Sequence, residues 1–227
     1  QIELRVLAHF SQEPALLRAF EQDEDIHRTV AAEVFNTPLE SVTREQRNSA
    51  KTINFGIVYG VSAYGLARRI EGLDVKGAAE LIASYNKRFP RINEFLQTCI
   101  KHAQDHGYVQ TIMGRRRPVT EINSGVIAQR NGAERIAINS VVQGSAADLI
   151  KLAMLSIFRK LKDPANGYAS RLLLQVHDEL VFETPIDVTE AEAKMVRQEM
   201  VNAGLALGIK VPLKVEVGWA KNWQEVK

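Results

Sequence analysis

The chain has 227 residues, 45% hydrophobic and 25% charged, with a formal net charge of +2 and one cysteine, Cys99. That is enough apolar material for one large domain or two small ones, and any basic patch must come from local clustering. A single cysteine rules out an internal disulfide framework, no secretory leader, internal repeat or membrane-long apolar run is read, and no membrane partner is expected; Cys99 reads as a small buried hydrophobe in a reducing compartment.

In chain order, the alternation from Ile2 to Leu7 predicts the end of a short strand leading into helical sequence. From Pro14 to His106 the apolar spacing is mostly helical, with breaks near residues 36–38, 71–72 and 89–90. Residues 108–113 read as a short strand closed by Gly114, followed by a cationic loop, Arg115-Arg-Arg117. A long helix is predicted over residues 131–161 and ends at Asp163-Pro-Ala-Asn-Gly167. Strands at residues 172–176 and 180–183 flank His177 and Asp178, and a helix near 189–207 precedes a last strand at 213–217. A helical block between strand-bearing ends implies an α+β chain of two subdomains.

Within the helical block, Arg47, Lys51, Phe55 and Tyr59 recur every fourth residue. That spacing stacks two cations, a ring and a phenol along one helix face. Thr43 with Gln46 has the form of a capping box, which puts the two cations in the first turns. There they oppose the helix macrodipole at about 0.3–1 kcal/mol each, a sign that an anionic ligand reverses. A row of this kind can hold a polyanion and stack on a flat ring, the two things a nucleoside triphosphate presents. A solvated polar face is the other reading of the spacing alone.

The full pattern Arg-x3-Lys-x3-Phe-Gly-x2-Tyr-Gly from Arg47 to Gly60 resembles motif B of the family A DNA polymerases, the bacterial polymerase I group. Gln1 to Arg5 resembles the end of motif A, and Val176-His-Asp-Glu179 resembles motif C. With Gln143-Gly-Ser-Ala-Ala-Asp148 the matches extend over nearly the whole chain. The resemblance implies a mainly helical fingers subdomain, residues 13–124, inserted in a palm subdomain with a small antiparallel sheet, residues 1–12 and 125–227. It also implies a bacterial, cytoplasmic, nucleoid-associated monomer acting on primer-template DNA and deoxynucleoside triphosphates.

By the same resemblance, Arg47, Lys51 and His27 contact the triphosphate, Phe55 packs on its sugar or base, Tyr59 sits beside the nascent pair, and Glu3 crowds a ribose 2′-hydroxyl. Arg135, Asn139 and Gln143, again four apart, hydrogen-bond minor-groove acceptors common to all base pairs. His177 lies near the primer terminus. Asn48 departs from the pattern, since many relatives carry a second arginine there. Each has an ordinary reading too: His27 and Glu3 as surface residues, the Arg135 row as a solvated stripe, His177 as a turn residue. The Arg115 to Arg117 run is compact and cationic enough to bind phosphate backbone, and Arg68-Arg69 is similar, but a solvated turn explains each adequately.

Asp178 and Glu179, at the tip of the expected hairpin, offer the hard oxygen ligands that Mg2+ prefers. Acids in a hairpin also serve simply as turn residues. Asp178 is the metal ligand favoured here, with Glu179 weaker because neighbouring strand residues point to opposite faces. Asp178, Glu179 and Lys51 are expected to carry the chemistry: attack of a primer 3′-hydroxyl on the α-phosphate, assisted by two Mg2+ ions about 3.5–4 Å apart. The motif A aspartate falls before Gln1, so the 227 residues are expected to act as a piece of a longer polymerase and to extend primers poorly alone. A noncatalytic nucleotide- or DNA-binding module, and a Mg2+-dependent nuclease around Asp178 and Glu179, are the competing readings.

Overall fold

Short polar side chains and prolines set the helix starts through the first half of the chain. The computed structural model describes residues 2–226, so Gln1, where the motif A resemblance begins, lies outside the described residues. Helix α1 spans Ile2–Ser11 and α2 spans Pro14–Glu21, with proline at its first turn where an N–H is dispensable. Asp25 caps α3 (Ile26–Val34), and Thr43 with Gln46 forms both halves of a capping box on α4 (Arg44–Val58). Ser62 caps the short α5 (Ala63–Ala67) and Asp74 caps α6 (Val75–Arg88). Pro90 opens α7 (Pro90–His106), which ends at Gly107 in the left-handed region. Strands β1 (Tyr108–Gln110) and β2 (Arg116–Pro118) pair antiparallel, and the long α8 covers Ile127–Lys162.

The remainder holds β3 (Arg171–Val176) and β4 (Glu179–Glu183), an antiparallel pair with an irregularity between Leu172 and Leu174, followed by α9 (Thr189–Ala206). Helix makes up 66% of the chain and the strands form two separate two-stranded ladders, so the α+β class holds. Contacts divide the chain into two compact units, residues 3–145 and 146–226. The core of the first includes Leu7, Ile53, Tyr85 and Phe89, all essentially solvent-free.

Three secondary-structure expectations are corrected. The predicted strand at the N-terminus is helix α1: Ile2 to Leu7 alternates, but over the full segment Leu4, Leu7, Ala8 and Ser11 fall on one buried helical face. Arg5 is buried as well, its guanidinium 4.5 Å from the Phe20 ring centroid. The predicted last strand, residues 213–217, is not a strand among the described residues. Leu213 and Val215 remain less exposed than Lys214 and Glu216, so the alternation survives without a ladder, which needs a partner that local pattern does not supply. Arg116 and Arg117 belong to β2 rather than to a loop, and the Arg116 guanidinium lies 4.5 Å from the Tyr108 ring centroid.

Helix α8 is also long and apolar enough, by length and composition, to cross a bilayer, contrary to the reading that no such run exists. Half of its most apolar window is buried within the protein, as in the core helix of a globular domain.

In the second unit, Glu192 of α9 is 3% exposed and accepts the backbone N–H groups of Ala169 and Ser170, each at 2.8 Å. Burial raises its pKa, but these bonds and the Ser170 side chain outweigh that and hold it below the ordinary value. Glu192→Ala orphans two backbone donors at about 1–3 kcal/mol each, so urea unfolding is expected to show a loss of about 2–6 kcal/mol.

Candidate nucleotide strip and acidic hairpin

The capping box aims α4. Thr43 N–H donates to Gln46 Oε1 at 3.0 Å and Gln46 N–H to Thr43 Oγ1 at 3.2 Å, so the helix begins just ahead of the predicted row. Arg47, Lys51 and Phe55 follow along one face, while Tyr59 is the residue that caps the helix C-terminus. Lys51 is exposed. The Phe55 and Tyr59 rings stack nearly parallel, 15° apart with centroids 6.3 Å apart.

Helix α3 packs beside α4 and supplies the rest of the strip. Asp25 Oδ1 accepts the backbone N–H of His27 at 3.0 Å and of Arg28 at 3.2 Å, and Oδ2 accepts from Arg47 Nε. Burial raises the Asp25 pKa, but the Arg47 guanidinium and the two backbone donors outweigh it, so the carboxyl sits below its ordinary 3.8. The pair is half exposed, a setting in which ion pairs contribute about 0–1 kcal/mol. Its use is therefore geometric: it binds the start of α3 to the cationic end of α4 while engaging only Nε of the guanidinium.

His27 is 5% exposed, its ring tilted against Phe55 with centroids 5.8 Å apart and its Nδ1 3.3 Å from Asn54 Nδ2. Burial pushes the imidazole down to about 4, with Asp25 pulling up and Arg47 and Lys51 pushing down. His27 is thus neutral near pH 7 and is not the surface residue of its ordinary reading.

At the other end, the Tyr59 hydroxyl donates to Glu3 Oε2, and the Gln143 side chain also bonds it. Burial raises the phenol pKa, Glu3 adds to the rise, and Gln143 partly offsets it. Glu3 therefore stands on a helix against Tyr59, not at a strand edge. Gly60 adopts φ +64°, and a Cβ there would lie 2.8 Å from Arg135 Cγ. Asn139, between Arg135 and Gln143 on α8, has a buried Oδ1 with no partner. The structure thus brings the end of the motif B row to two members of the second polar row within the first unit.

In the second unit, Val176 pairs with Glu179, leaving His177 and Asp178 as the central residues of a two-residue turn. His177 has φ +54°, a region sparsely used by non-glycine residues, and its carbonyl accepts from Gln175 Nε2. Asp178 and Glu179 are both exposed. Their oxygens fit Mg2+ in kind and fall short in number, since no group of three His, Cys, Asp or Glu suited to a metal occurs among the described residues.

Sequence reasoning missed two residues of the strip. Asp25 was visible as a helix cap. Asn54 carried only a faint signal, an asparagine inside a helix where that residue type is disfavoured.

The sequence profile described as DNA polymerase family A matches residues 1–225. DNA polymerase I of Caldicellulosiruptor bescii is 48% identical over 227 residues, covering 100% of this chain and 26% of that protein. The Pseudomonas aeruginosa DNA polymerase I is 44% identical over 225 residues, covering 99% of this chain and 24% of that protein. Among solved structures, the POL domain of Pol1 from M. smegmatis, in complex with DNA primer-template and dNTP, superposes with a TM-score of 0.92 at 39% identity. It covers 100% of this chain and 39% of that one. The chain belongs to DNA polymerase family A and spans about a quarter of the length of the curated relatives it matches.

The buried imidazole has a stability consequence. With the folded pKa of His27 near 4 and its ordinary value 6.5, the unfolded chain binds the proton more readily between those limits. Stability is expected to fall as pH drops from about 6.5 to about 4, the slope from this group vanishing below that range. His27→Gln should remove that slope, as checked by chemical denaturation at several pH values.

Proposed function

We propose that this chain is the fingers, residues 13–124, and part of the palm, residues 1–12 and 125–227, of a DNA-directed DNA polymerase. The observation that carries the reading is the strip in the first unit. There, Arg47, Lys51 and the neutral His27 lie at one end, and the stacked rings of Phe55 and Tyr59 continue it. Arg47 and Lys51 bind the triphosphate by charge-assisted hydrogen bonds, and His27 donates from a neutral ring. Phe55 presents a flat apolar face to the sugar or base. Glu3, held against Tyr59, closes the end where a ribose 2′-hydroxyl would project. Arg135, Asn139 and Gln143, four apart on α8, contact the minor groove of primer-template DNA, their side-chain N–H groups donating to acceptors common to all base pairs.

The reaction is attack of the primer 3′-hydroxyl on the α-phosphate, with pyrophosphate leaving. Two Mg2+ ions, when bound, would lower the pKa of the hydroxyl and offset charge on the attacking and departing oxygens. Asp178 is the residue of this chain that would hold metal, with Glu179 beside it, and His177 would lie near the primer terminus. Lys51 draws charge toward the leaving pyrophosphate. The protein is proposed to act as a monomer in the bacterial cytoplasm, on nucleoid DNA.

The short donor set favours a second reading for the 227 residues by themselves, a nucleotide- and DNA-binding module with little or no primer extension. The same shortage weighs against a Mg2+-dependent nuclease.

Fluorescent dATP titration is expected to show binding by the chain, with Lys51→Ala weakening it about tenfold or more, the loss of one charge-assisted hydrogen bond. Equal affinity would remove the strip from the mechanism. In Mg2+ with primer-template and triphosphates, the chain alone should extend primers far more slowly than a polymerase I relative; nucleotide release from DNA without triphosphates would instead support the nuclease.

A further inference from the structure

His27 is held from three directions by its own unit. Its backbone N–H is fixed by Asp25, one face of its ring lies against Phe55, and its Nδ1 meets the side-chain amide nitrogen of Asn54 at 3.3 Å. Asn54 is 1% exposed and sits in the interior of α4. Asparagine is a poor choice there, because its amide competes for backbone bonds and is costly to bury without a partner. An amide nitrogen can only donate, so the ring nitrogen opposite it accepts. A neutral imidazole that accepts at Nδ1 carries its proton on Nε2. Nε2 makes no hydrogen bond among the described residues and is not among the polar atoms sealed from solvent.

Resting on the reading of this strip as a triphosphate site, we propose that Asn54 is a positioning residue that fixes His27 as the Nε2–H tautomer, so that the imidazole presents one directed N–H donor to a phosphate oxygen. Without Asn54 the proton can sit on Nδ1, and the outward nitrogen then presents a lone pair that repels the same oxygen. The depressed pKa of His27 agrees with recognition by a neutral donor, leaving the positive charge to Arg47 and Lys51. Asp25 contributes from the other side by holding the first turn of α3 and Arg47 on one carboxylate.

Two measurements on the 227-residue chain test this. Nitrogen-15 NMR of the imidazole without nucleotide is expected to show His27 protonated at Nε2 and bare at Nδ1, and Asn54→Leu is expected to give a mixture of tautomers. In dATP titrations, Asn54→Leu should raise the dissociation constant about fivefold to tenfold, as for one lost hydrogen bond. His27→Ala should do much the same, and Asn54→Leu should add nothing further in the His27→Ala background. A residue that merely packed the helix would weaken binding equally in both backgrounds, and that result overturns the proposal. A wild-type His27 protonated at Nδ1, with Lys51→Ala still weakening dATP, overturns the role of Asn54 and leaves the strip standing. No change in dATP affinity for either Lys51→Ala or His27→Ala removes the strip and this inference with it.

Discussion

Asp25 carries two tasks on one carboxylate: Oδ1 closes the open backbone donors at the start of α3, and Oδ2 takes Arg47 Nε from α4. The placement of His27 and Arg47 follows from that joint. Because α3 begins at Asp25, His27 falls in its first turn and is turned inward against Asn54 and Phe55. Arg47 in turn is held to the same carboxylate through its Nε. An exposed ion pair adds little stability, so its contribution is to alignment, with the free energy of the helix pair supplied by buried residues such as Val30, Ala50 and Ile53.

Tyr59 is the hinge between the two polar rows. It ends α4, stacks on Phe55, and bonds Glu3 of α1 and Gln143 of α8 through one hydroxyl. The turn behind it needs Gly60, whose left-handed backbone and missing side chain let Arg135 pack close. A single phenol thus couples the proposed sugar-facing end of the nucleotide strip to the proposed DNA-facing side of α8. A shift of α4 would be felt at both.

The acidic hairpin follows a different logic. Its turn residues are exposed, and His177 is held in a backbone region that favours glycine, with Gln175 bonding its carbonyl. Strain at an exposed turn contributes nothing to a core, and such positions concentrate at functional sites. The side chain so positioned is next to Asp178, the proposed metal ligand.

Much of this was legible without coordinates. The capping box at Thr43, the helix spacing of the Arg47 row, the long α8 and the hairpin around His177 and Asp178 are all local, set by periods of 3.6 and 2 and by side chains bonding their own neighbours. What needed the tertiary structure was every relation between segments distant in sequence. A six-residue alternation at the N-terminus could not reveal that the full face of α1 would be buried, and the 213–217 alternation could not say that no strand would pair with it. Nor could spacing show that Asp25 would take Arg47, that Asn54 would meet His27, or that Tyr59 would join Glu3 and Gln143. Local sequence decides backbone conformation because the competing hydrogen bonds lie within a turn or two. Partners and protonation states are decided by burial, which exists only once the chain has folded.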